Sequence, residues 1–88
     1  MNFQVLWSAE AESRLAHVWL LAPNRHQVTA AAAKIDELLK RDADDVGESR
    51  PGGRRIVHEP PLGVVFSVDV EKKRVLVLDL WYYDVHGD

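Results

Sequence analysis

The chain has 88 residues, of which 47% are apolar and 28% charged, and it contains no cysteine. This length suits one domain, the composition excludes a disordered or fibrous protein, and the missing thiols exclude a disulfide framework and a thiolate zinc site. The net charge of −3 argues against a general polyanion binder, although residues 50–74 carry six cations against three anions.

The first half of the sequence predicts one strand and two helices. Apolar residues alternate over positions 3–7, which indicates a short strand. Ser8 is typical of a helix N-cap, and the helix that follows must end before Pro23. Asn24 predicts the cap of a second helix, whose apolar stripe covers residues 28–39. Because the link between the helices is short, they should form an antiparallel helical hairpin.

The second half of the sequence predicts strands. Residues 42–53 are expected to form a loop, because glycine and proline interrupt them. Alternation then predicts strands at Arg54–Glu59, Leu62–Val68 and Arg74–Trp81, paired as an antiparallel β-meander. The last strand is apolar on both faces, with Val75 and Val77 on one face and Leu76, Leu78 and Leu80 on the other, which favours a central position.

These elements predict an α+β fold, a two-layer sandwich in which the first strand joins the meander and the helices cover one face of the sheet. We expect a single domain over residues 1–88, with a flexible C-terminal tail from about residue 84. The longest apolar runs, at 18–22 and 75–78, are too short to span a membrane, and no basic segment precedes an apolar stretch at the N-terminus. A cytoplasmic location is therefore expected.

The order and spacing of several short stretches resemble the toxin subunits of the RelE/ParE superfamily. The stretches are residues 5–11 (VLWSAEA), 33–39 (AKIDELL), 47–48 (GE), 53–56 (GRRI), 63–68 (GVVFSV) and 75–81 (VLVLDLW). The resemblance covers roughly residues 3–83, and it implies a helical hairpin on a twisted antiparallel sheet.

The resemblance also implies a function. It implies the toxin of a type II toxin–antitoxin (plasmid stabilisation) system, neutralised by a cognate antitoxin. Members act either as mRNA interferases, which cut messenger RNA on the ribosome, or as inhibitors of DNA gyrase, and one scaffold does not select between these targets. One alternative is a catalytically inactive toxin-fold protein that serves as a protein-binding module, and another is an unrelated α+β interaction domain. The expected partners are the antitoxin, the ribosome with mRNA or gyrase, and a second copy of the chain, without a cofactor or a membrane.

Three features depart from the RNA-cleaving members of the family. Their penultimate strand carries an arginine, whereas residues 63–66 here read GVVF. They place Arg, His or Tyr near the chain end, where residues 81–84 here read WYYD. They are strongly basic, and this chain is acidic. The resemblance therefore leaves open whether the chain is a metal-independent endoribonuclease.

Metal-free RNA cleavage needs a base, cations that stabilise the phosphate charge, and an acid. The resemblance places Glu48 as the carboxylate. Arg54 and Arg55 are the candidate phosphate ligands, because a guanidinium binds phosphate through two hydrogen bonds. Tyr82, Tyr83 or His86 would supply the acid or a stacking surface, with Tyr83 as the candidate catalytic residue. Since neighbouring strand residues face opposite sides, only one of the two arginines should face any site.

The sequence also indicates a nucleic-acid-binding surface and a partner-binding surface. The candidate nucleic-acid-binding residues are Arg50, Arg54, Arg55 and Arg74. The candidate partner-binding residues are the apolar and aromatic side chains Leu78, Leu80, Trp81 and Tyr82. No metal site is expected, because His58 and Glu59 lie on opposite faces of a strand and the residues spaced at 84, 86 and 88 are interpreted as a polar terminus. A competing interpretation assigns all these charged residues to solvated surface.

Overall fold

Two helices and five strands make up residues 2–83, the part of the chain that the computed structural model describes. Their bounds are β1 Gln4–Trp7, α1 Ala9–Leu21, α2 Arg25–Asp42, β2 Glu48–Arg50, β3 Arg54–Glu59, β4 Leu62–Asp69 and β5 Arg74–Tyr82. The strands form one mixed sheet in the order β1-β5-β4-β3-β2. The predicted α+β class is confirmed, whereas the predicted tail from residue 84 lies outside the described residues.

Both helices begin at the predicted caps. The Ser8 hydroxyl accepts a hydrogen bond from the Ala11 N–H at 3.0 Å and donates one to the Leu78 carbonyl at 3.0 Å, so it joins α1 to β5. The Asn24 side chain accepts a hydrogen bond from the Gln27 N–H at 3.3 Å. In the last turns of α2, the hydrogen bond and charge of Asp36, 3.0 Å away, raise the pKa of Lys40.

The sheet combines the predicted meander with a parallel first strand. Strands β3, β4 and β5 pair antiparallel in sequence order. Strand β1 pairs parallel to β5, with Val5 opposite Val75 and Leu6 opposite Leu76. Strand β5 therefore lies between β1 and β4, as its two apolar faces predict.

The predicted loop over residues 42–53 is wrong in part, because β2 lies within it. Glu48, Ser49 and Arg50 pair antiparallel with β3. All three side chains are exposed, so β2 has no apolar alternation by which the sequence could indicate a strand. Gly47 precedes β2 with a φ of 77°, a backbone conformation that glycine adopts readily.

A second correction concerns the direction of side chains in β5. The register between β4 and β5 shifts between Val65 and Phe66, so that Leu78 is an extra residue and Leu80 lies opposite Val64. A bulge of this kind reverses the alternation beyond it. Leu80 is consequently 1% exposed and belongs to the core, not to the face that strict alternation from Leu76 predicts.

The core lies between α2 and one face of the sheet, which we call the inner face. Its fully buried large side chains are Val28, Ile35, Leu39, Leu62, Val64, Phe66, Val75, Val77 and Leu80. The opposite face, which we call the open face, carries side chains that are half-buried or exposed, such as Arg54, Ile56 and Val65. Within residues 2–83, neither helix has the length and apolar character needed to cross a membrane.

Candidate functional site

The open face collects most of the charged and aromatic residues to which the sequence assigns a function. Residues paired directly across strands share a face, so the register defines its rows. One row contains Glu48, Ile56, Val65 and Asp79 across β2, β3, β4 and β5. The row on one side begins with the pair Arg50–Arg54, and the row on the other side begins with the pair His58–Gly63.

Arg50 and Arg54 are direct neighbours across β2 and β3. Two cations in this position repel one another, and Glu48 offsets the repulsion through its ion pair with Arg50 at 2.8 Å. Among the described residues, Arg54 has neither a hydrogen bond nor an ion pair through its side chain. These two guanidinium groups could bind one phosphate together, with Arg54 as the more available ligand.

Arg55 faces away from Arg54, as alternation predicts. Its Nε donates a hydrogen bond to the Val46 carbonyl at 2.8 Å, and its Nη2 donates one to the Gly47 carbonyl at 3.1 Å. The half-buried Arg55 thus fixes the turn before β2 to the sheet. This geometry favours a structural role for Arg55, and its assignment as a phosphate ligand stays a prediction.

An aromatic cluster of His58, Trp81 and Tyr83 lies at the end of the open face. The His58 ring meets the Trp81 ring edge to face at 5.8 Å and the Tyr83 ring at 5.7 Å. The Trp81 indole also covers Gly63, where a Cβ atom would overlap its ring. The cluster could stack a nucleobase or a partner's apolar side chain. From the sequence, His58 was weighed only as a metal ligand, although its spacing of four from Arg54 in a strand indicates a shared face.

The beginning of α1 borders a cavity of about 520 Å³ beside Arg54. Its walls come from the helix start at residues 8–10 and from Arg54, Val65, Leu78 and Asp79. The Asp79 carboxylate forms an ion pair with Arg14 of α1 at 3.6 Å. Asp79 and Arg14 were not assigned by sequence analysis, because the bulge at Leu78 decides that Asp79 faces this side.

The remaining candidate residues are spread over different environments. Arg74 is exposed at the start of β5, opposite Asp69, in the row next to that of Arg50 and Arg54. Leu78 and Trp81 are half-buried and Tyr82 is 37% exposed, whereas Leu80 cannot form part of an exposed surface. The four predicted partner-binding residues therefore do not form one continuous patch.

A second surface, which we call the apolar groove, lies between α1, α2 and β1. It encloses about 960 Å³ and is lined by Val5, Leu6, Trp7, Glu12, Leu15, Ala16, Trp19, Leu20, Val28, Thr29 and Ala32. Leu20 is 58% exposed, and Trp19 is 39% exposed. A cluster of exposed apolar side chains along a groove is typical of a protein-binding surface. The sequence pattern predicts Trp19 on the apolar face of its helix but does not indicate a partner site there.

The described residues contain no group of three histidine or acidic side chains that could hold a metal ion. Residues 84, 86 and 88, which the sequence interprets as a polar terminus, lie outside residues 2–83. Tyr83, the candidate acid, lies half-buried beside His58 and does not adjoin Glu48 in the rows of the sheet.

No protein-family model matches the sequence, and no curated protein matches it. Solved structures match its fold over nearly the whole chain. The chain is similar to the RelBE2 toxin–antitoxin complex of Mycobacterium tuberculosis, with a TM-score of 0.74, 15% identity, and 93% of this chain and 92% of that chain covered. It is also similar to the chromosomal ParDE system of P. aeruginosa, with a TM-score of 0.71, 14% identity, and coverage of 94% and 98%.

An archaeal RelE–RelB complex from Pyrococcus horikoshii gives a TM-score of 0.68 at 12% identity, covering 97% of this chain and 99% of that chain. Sequence identity this low shows a common fold and does not by itself transfer an activity. The fold is that of the RelE and ParE toxins, as the sequence resemblance predicts.

Proposed function

We propose that the chain is the toxin subunit of a toxin–antitoxin pair. The observation that carries the proposal is the similarity of fold to three proteins from solved toxin–antitoxin systems. The match covers 92%, 98% and 99% of their chains. Such a function would place the chain in the bacterial cytoplasm and in a system of the plasmid-stabilisation type.

The apolar groove supports a protein partner as the second half of the pair. Trp19 and Leu20 expose apolar surface there, and the partner suited to this shape is an amphipathic helical segment of an antitoxin. Binding would cover these side chains and add to the stability of a chain small enough to have a modest core.

Growth of a bacterial host tests the proposal directly. Expression of the chain alone should slow growth, and co-expression of the small protein encoded beside it should restore growth. Leu20→Glu should keep the toxicity and lose the rescue, because it places a charge in the apolar groove. Leu21→Glu is the matched control, since Leu21 is 71% exposed and does not line the groove. Unchanged growth with verified folded protein in the native host would contradict the proposal.

The open face supports an action on RNA through a limited set of groups. Arg54 and Arg50 would bind phosphate, and Trp81 and Tyr83 would stack a base. The candidate base, Glu48, is occupied by its ion pair with Arg50. Messenger RNA on the ribosome and DNA gyrase are the two targets to compare. Cleavage of ribosome-bound messenger RNA in vitro would identify the first target, since an inhibitor of gyrase would leave the RNA intact.

A second candidate function is a toxin-fold binding module without catalysis. The observation that favours it is the absence of a cation from β4, where Gly63 lies beneath the Trp81 indole. With Arg55 hydrogen-bonded to the turn before β2, Arg50 and Arg54 are the neighbouring cations that the open face offers to a phosphate. If the chain is such a module, it should form a stable complex with the neighbour-encoded protein, leave growth of the native host normal and cleave no RNA.

A further inference from the structure

The outer edge of β1 carries backbone groups that no residue of 2–83 binds. The Gln4 N–H donates to the Lys73 carbonyl at 2.8 Å, and the Ser8 N–H donates to the Val77 carbonyl at 2.9 Å, so alternate residues of β1 bind β5. Because successive residues of a strand direct their N–H and C=O groups to opposite sides, those of Val5 and Trp7 point away from the sheet. Two donors and two acceptors are thus available at this edge.

The two edges of the sheet differ in their protection against pairing. Strand β2, at the other edge, has three residues, two of them charged, and lies between Gly47 and Pro51. Short length, charge and proline are the features that normally prevent an edge from pairing with another strand. Strand β1 (QVLW) has no charge and no proline. One edge of the sheet is protected, and the β1 edge is not.

We propose that β1 pairs antiparallel with β1 of a second copy of the chain, about a two-fold axis that passes beside Leu6. In this register Val5 lies opposite Trp7 of the second copy, and Trp7 lies opposite its Val5. Each pair exchanges two hydrogen bonds, so all the outward groups of both strands are used. A two-fold axis requires a self-complementary surface, and this register provides one.

The surroundings of β1 favour a second copy as the occupant of this edge. Leu6 is 45% exposed, and its neighbour across the sheet, Leu76, is 37% exposed, so the axis brings apolar side chains together on the open side. Val5 and Trp7, whose side chains point to the other face of the strand, line the apolar groove. The groove leaves space beside β1. Strand β1 carries no charge, so pairing with a second copy brings no like charges together and removes no charged group from water.

The inference concerns the chain alone and does not depend on the proposed function. The pairing uses Val5, Leu6 and Trp7, which also line the groove assigned to the antitoxin. An antitoxin in the groove and a second copy at β1 would therefore exclude one another.

A single cysteine tests the register, because the chain has none of its own. Leu6→Cys places two thiols opposite each other in a non-hydrogen-bonded pair, where Cα atoms lie about 4.5 Å apart and a disulfide can form. Leu76→Cys is the matched control on the same face, since its two copies lie three strand spacings apart, about 14 Å. Under mild oxidation the first variant should form a covalent dimer and the second should not. Equal cross-linking of both, or of neither, would overturn the proposal.

Charge exchange at the axis provides a second, independent measurement. Leu6→Lys and Leu6→Glu should each sediment as folded monomers under conditions where the wild type forms dimers, and an equal mixture of the two should form a heterodimer. Leu21→Lys, on an exposed site outside the groove, should dimerise like the wild type. A monomeric wild type at high concentration, a dimeric Leu6→Lys, or a mixture that stays monomeric would overturn the pairing about Leu6.

Discussion

The indole of Trp81 lies against the α-carbon of Gly63, in the space that a side chain at position 63 would occupy. These two residues are direct neighbours across β4 and β5. Glycine therefore allows the Trp81 indole to lie against β4 on the open face, and the position of this ring depends on the absence of a Cβ atom.

Gly63→Ala should displace Trp81 and lower the free energy of unfolding by about 1–3 kcal/mol, the usual cost of forcing an extra methyl group into a packed site. Chemical denaturation measures the loss, and the indole N–H resonance of Trp81 should shift. The same change in a Trp81→Ala background should cost much less, because the overlapping ring is gone. Equal costs in both backgrounds would show that Gly63 is required for another reason.

Ser8→Ala should lower the free energy of unfolding by about 1–2 kcal/mol, because it removes the cap of α1 together with the bond to the Leu78 carbonyl. Asn24→Ala is the matched control. It removes only an exposed cap of α2 and should cost roughly 0.5–1 kcal/mol. Thermal or denaturant unfolding of the two variants gives the comparison, and an equal or larger loss for Asn24→Ala would contradict the assigned role of Ser8.

Arg25 closes the turn between the two helices. Its Nε and Nη2 donate to the carbonyls of Trp19 and Leu20, both at 3.2 Å, and its guanidinium lies 4.6 Å from the centre of the Trp19 ring. We expect Arg25→Ala to cost about 1 kcal/mol in stability, as for other exposed cation–π contacts. Arg25→Lys keeps the charge but not the planar group, so it should recover less than half of this loss. Full recovery by lysine would show that charge alone matters.

The sequence predicts β1 and the strands of the meander closely, whereas it misses the edge strand β2, for a physical reason. Strands β3, β4 and β5 each bury one face or both, so apolar alternation marks them. Strand β2 buries nothing, and its pairing arises from contact with β3. The bulge at Leu78 arises from the pairing of β4 with β5. No local pattern in the sequence indicates that the Leu80 side chain points into the core and that of Asp79 toward the open face.

The candidate site shows the same limit. Arg50 and Arg54 could be proposed from charge and order alone, and their role as phosphate ligands stays a prediction. The separation of Arg54 from Arg55 was predicted, but the choice between them depends on the turn at Val46 and Gly47, which approaches Arg55 only in the folded chain. The grouping of His58 with Trp81 and Tyr83 likewise joins strands that are distant in sequence.

Substitutions of Arg54 and Arg55, which are adjacent in sequence, should have different effects on the free energy of unfolding. Arg55→Ala removes two hydrogen bonds from a charged donor and should lower the free energy of unfolding by about 1–3 kcal/mol. Arg54→Ala should leave stability within about 0.5 kcal/mol of the wild type, because its side chain is exposed and has no partner among residues 2–83. Denaturant unfolding of both variants measures this difference.

Cleavage of ribosome-bound messenger by the same variants tests the chemistry of the open face. If wild-type protein cleaves, Arg54→Ala should slow cleavage about 30- to 1000-fold, the effect of losing about 2–4 kcal/mol of transition-state stabilisation. Arg55→Ala should retain the rate once it is compared at equal folded fraction, and Glu48→Ala should cost less than Arg54→Ala because water or a ribosomal group can accept the proton. Cleavage that survives the loss of Arg54 would exclude it as the phosphate ligand. Absence of wild-type cleavage would end the nuclease hypothesis and direct the search to gyrase or to binding alone, and the missing cation on β4 makes this the outcome we expect.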